Sequence, residues 1–177
     1  LTQKRAIAVG RLNRQKGFDM LIEAWALIEK EVSDWTLDIY GQGALREKLQ
    51  SRIDELKLER IKLKGFSENI QKEYKNSSLF FLSSRFEGFG LVLMEALATG
   101  LPAVSFRCKE GPEEIIDDGA NGFLVVEGNV QQFAEHAIKL MKDEDLLKKF
   151  AANTKKDLNR FENERIMKQW VELLNNL

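Results

Sequence analysis

The sequence has little cysteine, little proline and no long apolar run. Cys108 is the only cysteine, so an internal disulfide is impossible, and the single histidine leaves no Cys/His cluster for zinc. The longest apolar runs, residues 79–82 and 91–94, fall far short of the roughly 20 residues that span a bilayer. We therefore expect a reducing, cytoplasmic location and no membrane-spanning segment.

The sequence also lacks an excess of charge of one sign. Its 27 Lys and Arg residues nearly balance 28 Asp and Glu residues, for a net charge of −1. No global field attracts nucleic acid or an anionic membrane, so any basic site must be local. With 177 residues, the chain is long enough for one domain. It opens on Leu1, without an initiator Met or a signal-peptide pattern, and we expect an excised fragment.

Short apolar runs alternate with longer amphipathic stretches along most of the chain. This pattern favours strand–helix units around a parallel sheet with helices on both faces. We expect an α/β fold, a Rossmann-like parallel sheet of about six strands flanked by helices, with a helical C-terminus after Gly128. The predicted strands are residues 6–9, 36–40, 60–64, 79–83, 103–106 and 123–126.

Apolar residues at three- and four-residue steps predict the helices. They recur in this way over residues 18–32 and 45–56, and Gly100 with Pro102 ends a further helix that carries Glu95. The last segment has an apolar side that must pack on this domain or on a second one outside the fragment. That side consists of Ile166, Trp170, Leu173, Leu174 and Leu177.

Residues 87–102 combine two acids with a glycine pair at a predicted helix start. Glu87 precedes a turn that contains Gly88 and Gly90, and Glu95 lies inside the helix. The free amides of a first helical turn favour an anion such as a diphosphate. Taken singly, each acid is more often a surface or lysine-paired carboxylate. Taken together, they are typical of a site that holds a nucleotide sugar.

Two further loops, residues 10–17 and 41–46, follow predicted strands, where open α/β sheets bind their ligands. Arg11 and Lys16 could meet the charge of a diphosphate; the alternative is two solvated loop charges. Gly41 and Gly43 suggest a dinucleotide fold, but Arg46 occupies the third glycine position, which disfavours a nicotinamide cofactor. A P-loop is also absent from the sequence.

Cys108 stands between two cationic residues, Arg107 and Lys109. Such neighbours favour a somewhat activated thiol. No histidine partner is in view, so we expect no catalytic role for this cysteine.

Four segments within residues 4–127 carry a pattern that occurs together in one family. They are Val9-Gly10-Arg11-Leu12 with Lys16-Gly17, Tyr40-Gly41-Gln42-Gly43, Leu63-Lys64-Gly65-Phe66, and Glu87-Gly88-Phe89-Gly90-Leu91 through Glu95-Ala96 to Gly100-Leu101-Pro102. In this order they resemble the C-terminal, donor-binding half of retaining glycosyltransferases of the GT-B fold, in the group 1 (GT4-like) family. Two acids separated by seven residues are the most specific part of the match.

The resemblance implies a role for each site residue. Arg11 and Lys16 would neutralise the donor diphosphate, and Glu95 would bind the ribose hydroxyls. Glu87, the candidate catalytic residue, would contact the donor sugar first, and whether it acts as a nucleophile stays open. The other donor-binding residues would be Phe66 and Ser67 beside the base, and Gly88, Phe89, Gly90 and Leu91 around the phosphates. No metal and no other cofactor is implied.

The resemblance also implies that residues 1–177 form only the donor-binding domain. An N-terminal domain that binds the acceptor would be absent, so the fragment alone should be inactive. The expected reaction is retaining transfer of a hexose from a nucleotide sugar, with UDP as the expected nucleotide, to an acceptor hydroxyl. The acceptor would be a glycan or glycolipid of polysaccharide biosynthesis, reached through the missing domain, which could also hold the protein peripherally at the inner face of the membrane.

Two other functions are compatible with these motifs. One is a non-catalytic nucleotide-binding module, and the other is a GT-B nucleotide-sugar epimerase. Intact Arg11, Lys16, Glu87 and Glu95 favour an enzyme over a module, because a decayed site would be free to lose them. The sequence does not separate a transferase from an epimerase.

Overall fold

A computed structural model describes residues 3–108, 110–156, 158–161 and 163–175. These residues contain one six-stranded sheet in which every strand pair is parallel. The strands are β1 (Arg5–Val9), β2 (Thr36–Tyr40), β3 (Ile61–Gly65), β4 (Leu79–Leu82), β5 (Ala103–Arg107) and β6 (Gly122–Val126). The predicted Rossmann-like α/β fold is thus confirmed.

The strand order is β3-β2-β1-β4-β5-β6. Residue Val9 of β1 pairs with Tyr40 of β2, and Ile7 of β1 pairs with Phe80 of β4. The chain therefore builds the sheet outward from β1 in one direction and then returns to build it from β4 in the other. A crevice forms at such a reversal, outside the carboxyl ends of the two central strands.

Eight α-helices connect or follow these strands in the described part of the chain. They are α1 (Phe18–Glu31), α2 (Arg46–Glu55), α3 (Ile70–Lys75), α4 (Leu91–Ala98), α5 (Pro112–Ile115), α6 (Val130–Lys142), α7 (Glu144–Asn153) and α8 (Asn163–Asn175), with a 3₁₀ turn at Leu158–Phe161. The chain after Gly128 is helical, as its apolar periodicity predicts.

Each face of the sheet has its own apolar core. On one face, α1, α2, α6 and α7 bury large side chains such as Trp25, Phe133 and Phe150. On the other face, the shorter helices α3, α4 and α5 pack Tyr74, Leu93 and other side chains against the strands. Because both faces are covered, the central strands are apolar on both sides, and this is why they appear in the sequence as short apolar runs.

Helix α8 keeps its apolar side exposed. Trp170 is 56% exposed, and Leu173 and Leu174 are also exposed. Of the two alternatives for this segment, packing on this domain is not what its described residues show; Leu177 lies outside them. No helix in the described ranges is long and apolar enough to cross a membrane.

Candidate functional site

The loops after β1 and β4 lie side by side at the crevice between these strands. We call residues 10–17 and 83–90 the switch-point loops. The backbone amide of Arg85 donates to the carbonyl of Gln15 at 2.8 Å, and the Gln15 side chain donates to the carbonyl of Phe86 at 3.1 Å. The Ser83 hydroxyl donates to the carbonyl of Lys16 at 2.8 Å. These three hydrogen bonds fix the two loops to each other.

An ion pair between Lys16 and Glu87 completes the junction. Lys16 Nζ lies 2.6 Å from Glu87 Oε1, and the two side chains are 16% and 7% exposed. The Ser84 hydroxyl donates to the same oxygen at 2.5 Å. In the described part of the chain Glu87 Oε2 has no hydrogen-bond partner. An ammonium has three N–H donors, so the pair retains both a donor and an acceptor for a ligand.

Gly17 permits the close approach of the two switch-point loops. It precedes α1 with a φ of 63°, in the left-handed region. A Cβ at this position would lie 2.0 Å from the carbonyl oxygen of Ser83. Only glycine meets both conditions without strain.

The N-terminus of α4 borders the same crevice, because α4 follows the β4 loop directly. Gly90 precedes the helix with a φ of 90°, which glycine adopts readily. Among the described residues, none accepts a hydrogen bond from the backbone amides of residues 89–92. Such amides, at the positive end of a helix dipole, suit a phosphate. Gly88, Phe89 and Leu91 are exposed around them.

Arg11 lies in the first switch-point loop with an exposed side chain. The adjacent backbone is fixed, since the amide of Leu12 donates to the carbonyl of Gln42 at 2.9 Å. The described residues offer the Arg11 guanidinium neither an ion pair nor a side-chain hydrogen bond. The structure thus places Arg11 on the same loop as Lys16, but not in contact with the other predicted site residues.

Phe66 and Ser67 follow β3, two strands away from β1. Phe66 is 74% exposed, and the Ser67 hydroxyl accepts from the Asn69 amide at 3.3 Å, just before α3. The described contacts do not bring either residue to the Lys16–Glu87 pair. They lie at the same edge of the sheet as the switch-point loops, because all six strands are parallel.

Glu95 is the fifth residue of α4 and is partly buried. The hydroxyl of Tyr74, on α3, donates to Glu95 Oε2 at 3.1 Å. The sequence analysis missed this partner, and it also missed Ser84 beside Glu87. Ser84 could have been found from its position after the apolar strand and three residues before the acid; Tyr74 gave no local signal.

The hypothesis of an activated thiol at Cys108 is wrong. The side chain is buried at the end of β5, and burial, followed by the nearby negative charge of Glu87, raises the pKa of the thiol to about 11. The thiol therefore stays protonated at neutral pH. Among the described residues there is also no group of three or more His, Cys, Asp or Glu side chains that could hold a metal ion.

Comparison of the sequence with protein families gives one match, to "Glycosyl transferases group 1", over residues 1–157. The chain is 33% identical, over 98% of its length, to the poly(glycerol-phosphate) alpha-glucosyltransferase of Bacillus subtilis, of which it covers 26%. It is 35% identical, again over 98% of its length, to the amylovoran biosynthesis glycosyltransferase AmsD of Erwinia amylovora, of which it covers 48%. The chain therefore spans about a quarter to a half of these relatives.

Solved structures show the same architecture. The fold matches TarM of S. aureus, in a complex that contains UDP, with a TM-score of 0.93 and 30% identity over 98% of this chain and 36% of that one. It matches Anabaena HepE, in complex with UDP-glucose, with a TM-score of 0.86 and 28% identity over 99% of this chain and 50% of that one. The likeness covers almost every residue of the chain.

Proposed function

Since the chain belongs to the group 1 glycosyl transferases, we propose that it is the donor-binding domain of a retaining glycosyltransferase. Its ligand would be a nucleotide-diphosphate sugar, and the reaction would transfer the sugar to an acceptor hydroxyl. One observation carries this proposal: the Lys16–Glu87 ion pair joins the switch-point loops directly before the unpaired amides of α4. Positive and negative groups therefore flank one crevice at the carboxyl edge of the sheet.

The diphosphate would lie against the positive groups of this crevice. When the bond from the anomeric carbon to the diphosphate breaks, negative charge develops on the leaving oxygens. The α4 amides, the remaining N–H groups of Lys16 and the free guanidinium of Arg11 would stabilise that charge. Because the amides and Lys16 are already fixed by the fold, little reorganisation would be needed during the reaction. We propose that no metal ion takes part in this step.

Glu87 would contact the donor sugar through Oε2, while Lys16 and Ser84 hold Oε1. An acceptor hydroxyl that attacks from the face on which the nucleoside diphosphate departs would give retention at the anomeric carbon. Glu87 as a nucleophile remains the alternative route to the same stereochemistry. Glu95 would accept hydrogen bonds from the ribose hydroxyls, and Phe66 and Ser67 would border the base.

We propose UDP as the nucleotide. The TarM and HepE structures to which the fold is similar contain UDP or UDP-glucose. The relatives' names concern poly(glycerol-phosphate) and amylovoran, which supports a glycan or glycolipid acceptor in polysaccharide biosynthesis. The acceptor would bind a further domain outside these 177 residues, and the chain alone would be inactive. A cytoplasmic location is part of this proposal.

Ligand-induced thermal stabilisation tests the nucleotide site. Selective binding to the folded protein raises its melting temperature by mass action, so millimolar UDP should raise it and GDP should raise it less. Arg11→Ala should reduce the UDP effect without lowering the melting temperature of the free protein, because Arg11 is exposed and unpaired within the described residues. Arg14→Ala, on the same loop and equally exposed, is the matched control and should bind UDP as the wild type does. No stabilisation by any nucleoside diphosphate would refute the proposal.

The reaction itself is tested with the complete protein and a panel of UDP-sugars. Transfer to an acceptor with retained anomeric configuration supports the transferase. Interconversion of the donor without transfer would indicate an epimerase, and UDP binding without either reaction would indicate a non-catalytic module.

A further inference from the structure

Tyr74 presents one hydroxyl group to the candidate donor site from inside the apolar core. Its side chain is fully buried, and its ring packs edge-on against Phe80 with centroids 6.0 Å apart. The hydroxyl donates to Glu95 Oε2 at 3.1 Å. A phenol held by its ring in a packed core has little rotational freedom, so the location of its hydroxyl is well defined.

Glu95 depends on this contact for its own orientation. A glutamate side chain has three rotatable bonds, and the described residues provide no partner for Glu95 Oε1. Fixing Oε2 on the tyrosine restricts the carboxylate and leaves Oε1 with its lone pairs available. Burial, together with the negative charge of Glu95, raises the pKa of Tyr74, so the hydroxyl remains a proton donor across the physiological range.

The short helix α3 that carries Tyr74 is itself pinned to the sheet. The neighbouring residue, Glu73, accepts a hydrogen bond at 2.7 Å from Arg5 and another at 2.7 Å from the Tyr40 hydroxyl. Arg5 Nε lies a further 2.8 Å from Asp38. Six residues are too few for a helix to be stable alone, so strands β1 and β2 set the position of Tyr74.

We propose that Tyr74 is a positioning residue for the donor site: it holds the Glu95 carboxylate in the orientation that receives the two ribose hydroxyls of the nucleotide. The inference rests on the proposed function. The donated hydrogen bond offsets part of the negative charge of Glu95 and takes up one oxygen, and the other oxygen faces the ligand. Arg5, Tyr40 and Glu73 act one step further away, because they fix the helix and not the carboxylate.

Tyr74→Phe tests this role in the complete protein, with binding of two nucleotides measured by isothermal titration calorimetry. The probes are UDP and 2′,3′-dideoxyuridine 5′-diphosphate, which lacks the hydroxyls that Glu95 would bind. We expect Tyr74→Phe to weaken UDP binding about threefold to tenfold and to leave binding of the dideoxy analogue unchanged. Tyr40→Phe is the matched control: it also removes a hydroxyl from a carboxylate, that of Glu73, and should leave the ratio of the two affinities unchanged.

A double-mutant cycle provides the second readout. In a Glu95→Ala background, Tyr74→Phe should have no further effect on UDP binding, because the group it positions is gone. Equal weakening of both nucleotides by Tyr74→Phe would indicate a purely structural role and overturn the inference, as would unchanged UDP binding. A wild-type protein that binds both nucleotides equally would remove the ribose contact and this inference while leaving the diphosphate site intact. A wild-type protein that binds neither would refute the proposed function itself.

Discussion

Replacing Lys16 with methionine should destabilise the protein mainly through the carboxylate that remains. Methionine preserves most of the apolar length of the side chain but removes the ammonium 2.6 Å from Glu87 Oε1. Glu87 is 7% exposed at its side chain, so its charge would lose its counterion without gaining full solvation. The cost therefore comes from an unpaired buried charge and not from lost packing.

The size of the effect follows from the burial of the pair. Removing one partner of a fully buried ion pair costs about 3–5 kcal/mol. Lys16 is 16% exposed and Ser84 still donates to Glu87, so we expect the free energy of unfolding to fall by about 2 kcal/mol. For a chain of this size, that loss corresponds to a melting temperature lower by roughly 4–8 °C.

Urea unfolding of four variants at neutral pH measures this effect. Glu87→Gln removes the charge, so the double variant Lys16→Met with Glu87→Gln should regain part of the stability that Lys16→Met loses. Lys30→Met, at an exposed position in the last turn of α1, controls for the loss of a surface lysine and should unfold with the wild type. If the double variant were no more stable than Lys16→Met, the reasoning from a stranded carboxylate would be refuted.

Three further predictions concern single residues. Gly17→Ala should prevent stable folding, because its Cβ would lie 2.0 Å from Ser83 O, whereas Gly65→Ala, also at positive φ but with open space around it, should cost only about 1–2 kcal/mol; circular dichroism melting compares the two. Cys108 should react with a thiol reagent only after denaturation, since burial raises its pKa to about 11, and rapid labelling of the native protein would contradict this. Burial lowers the pKa of His136, so the unfolded state binds a proton below about pH 6.5 when the folded state does not; the wild type should lose more stability between about pH 7.5 and about pH 5.5 than His136→Phe does.

The strands could be predicted from the sequence because each one is a short apolar run between turn residues. Each observed strand differs from its predicted bounds by no more than one residue at either end. Helices α3 and α5 escaped prediction, since Ile70–Lys75 and Pro112–Ile115 are too short to show a helical period. Helix α3 is stabilised by contacts of Glu73 with distant strands, and such contacts leave no mark on the local sequence.

The position of the candidate site could also be predicted, but its internal contacts could not. Loops that follow parallel strands must meet at one edge, which placed Arg11, Lys16 and Glu87 in the same region. The pairing of Lys16 with Glu87 depends on β1 lying next to β4, and no local pattern specifies that neighbour. The hydrogen bond from Tyr74 to Glu95 likewise joins two helices whose packing is set by the core.

The separation of Lys16 from Glu87 by 71 positions has a consequence for biosynthesis. Contacts between distant residues form only after the entropy of closing the intervening chain has been overcome. Here that closure is the docking of β4 beside β1, so a nascent polypeptide ending before Leu79 contains one wall of the crevice and neither acid. A nucleotide cannot template the early stages of folding, and it stabilises only molecules whose central strands have already come together.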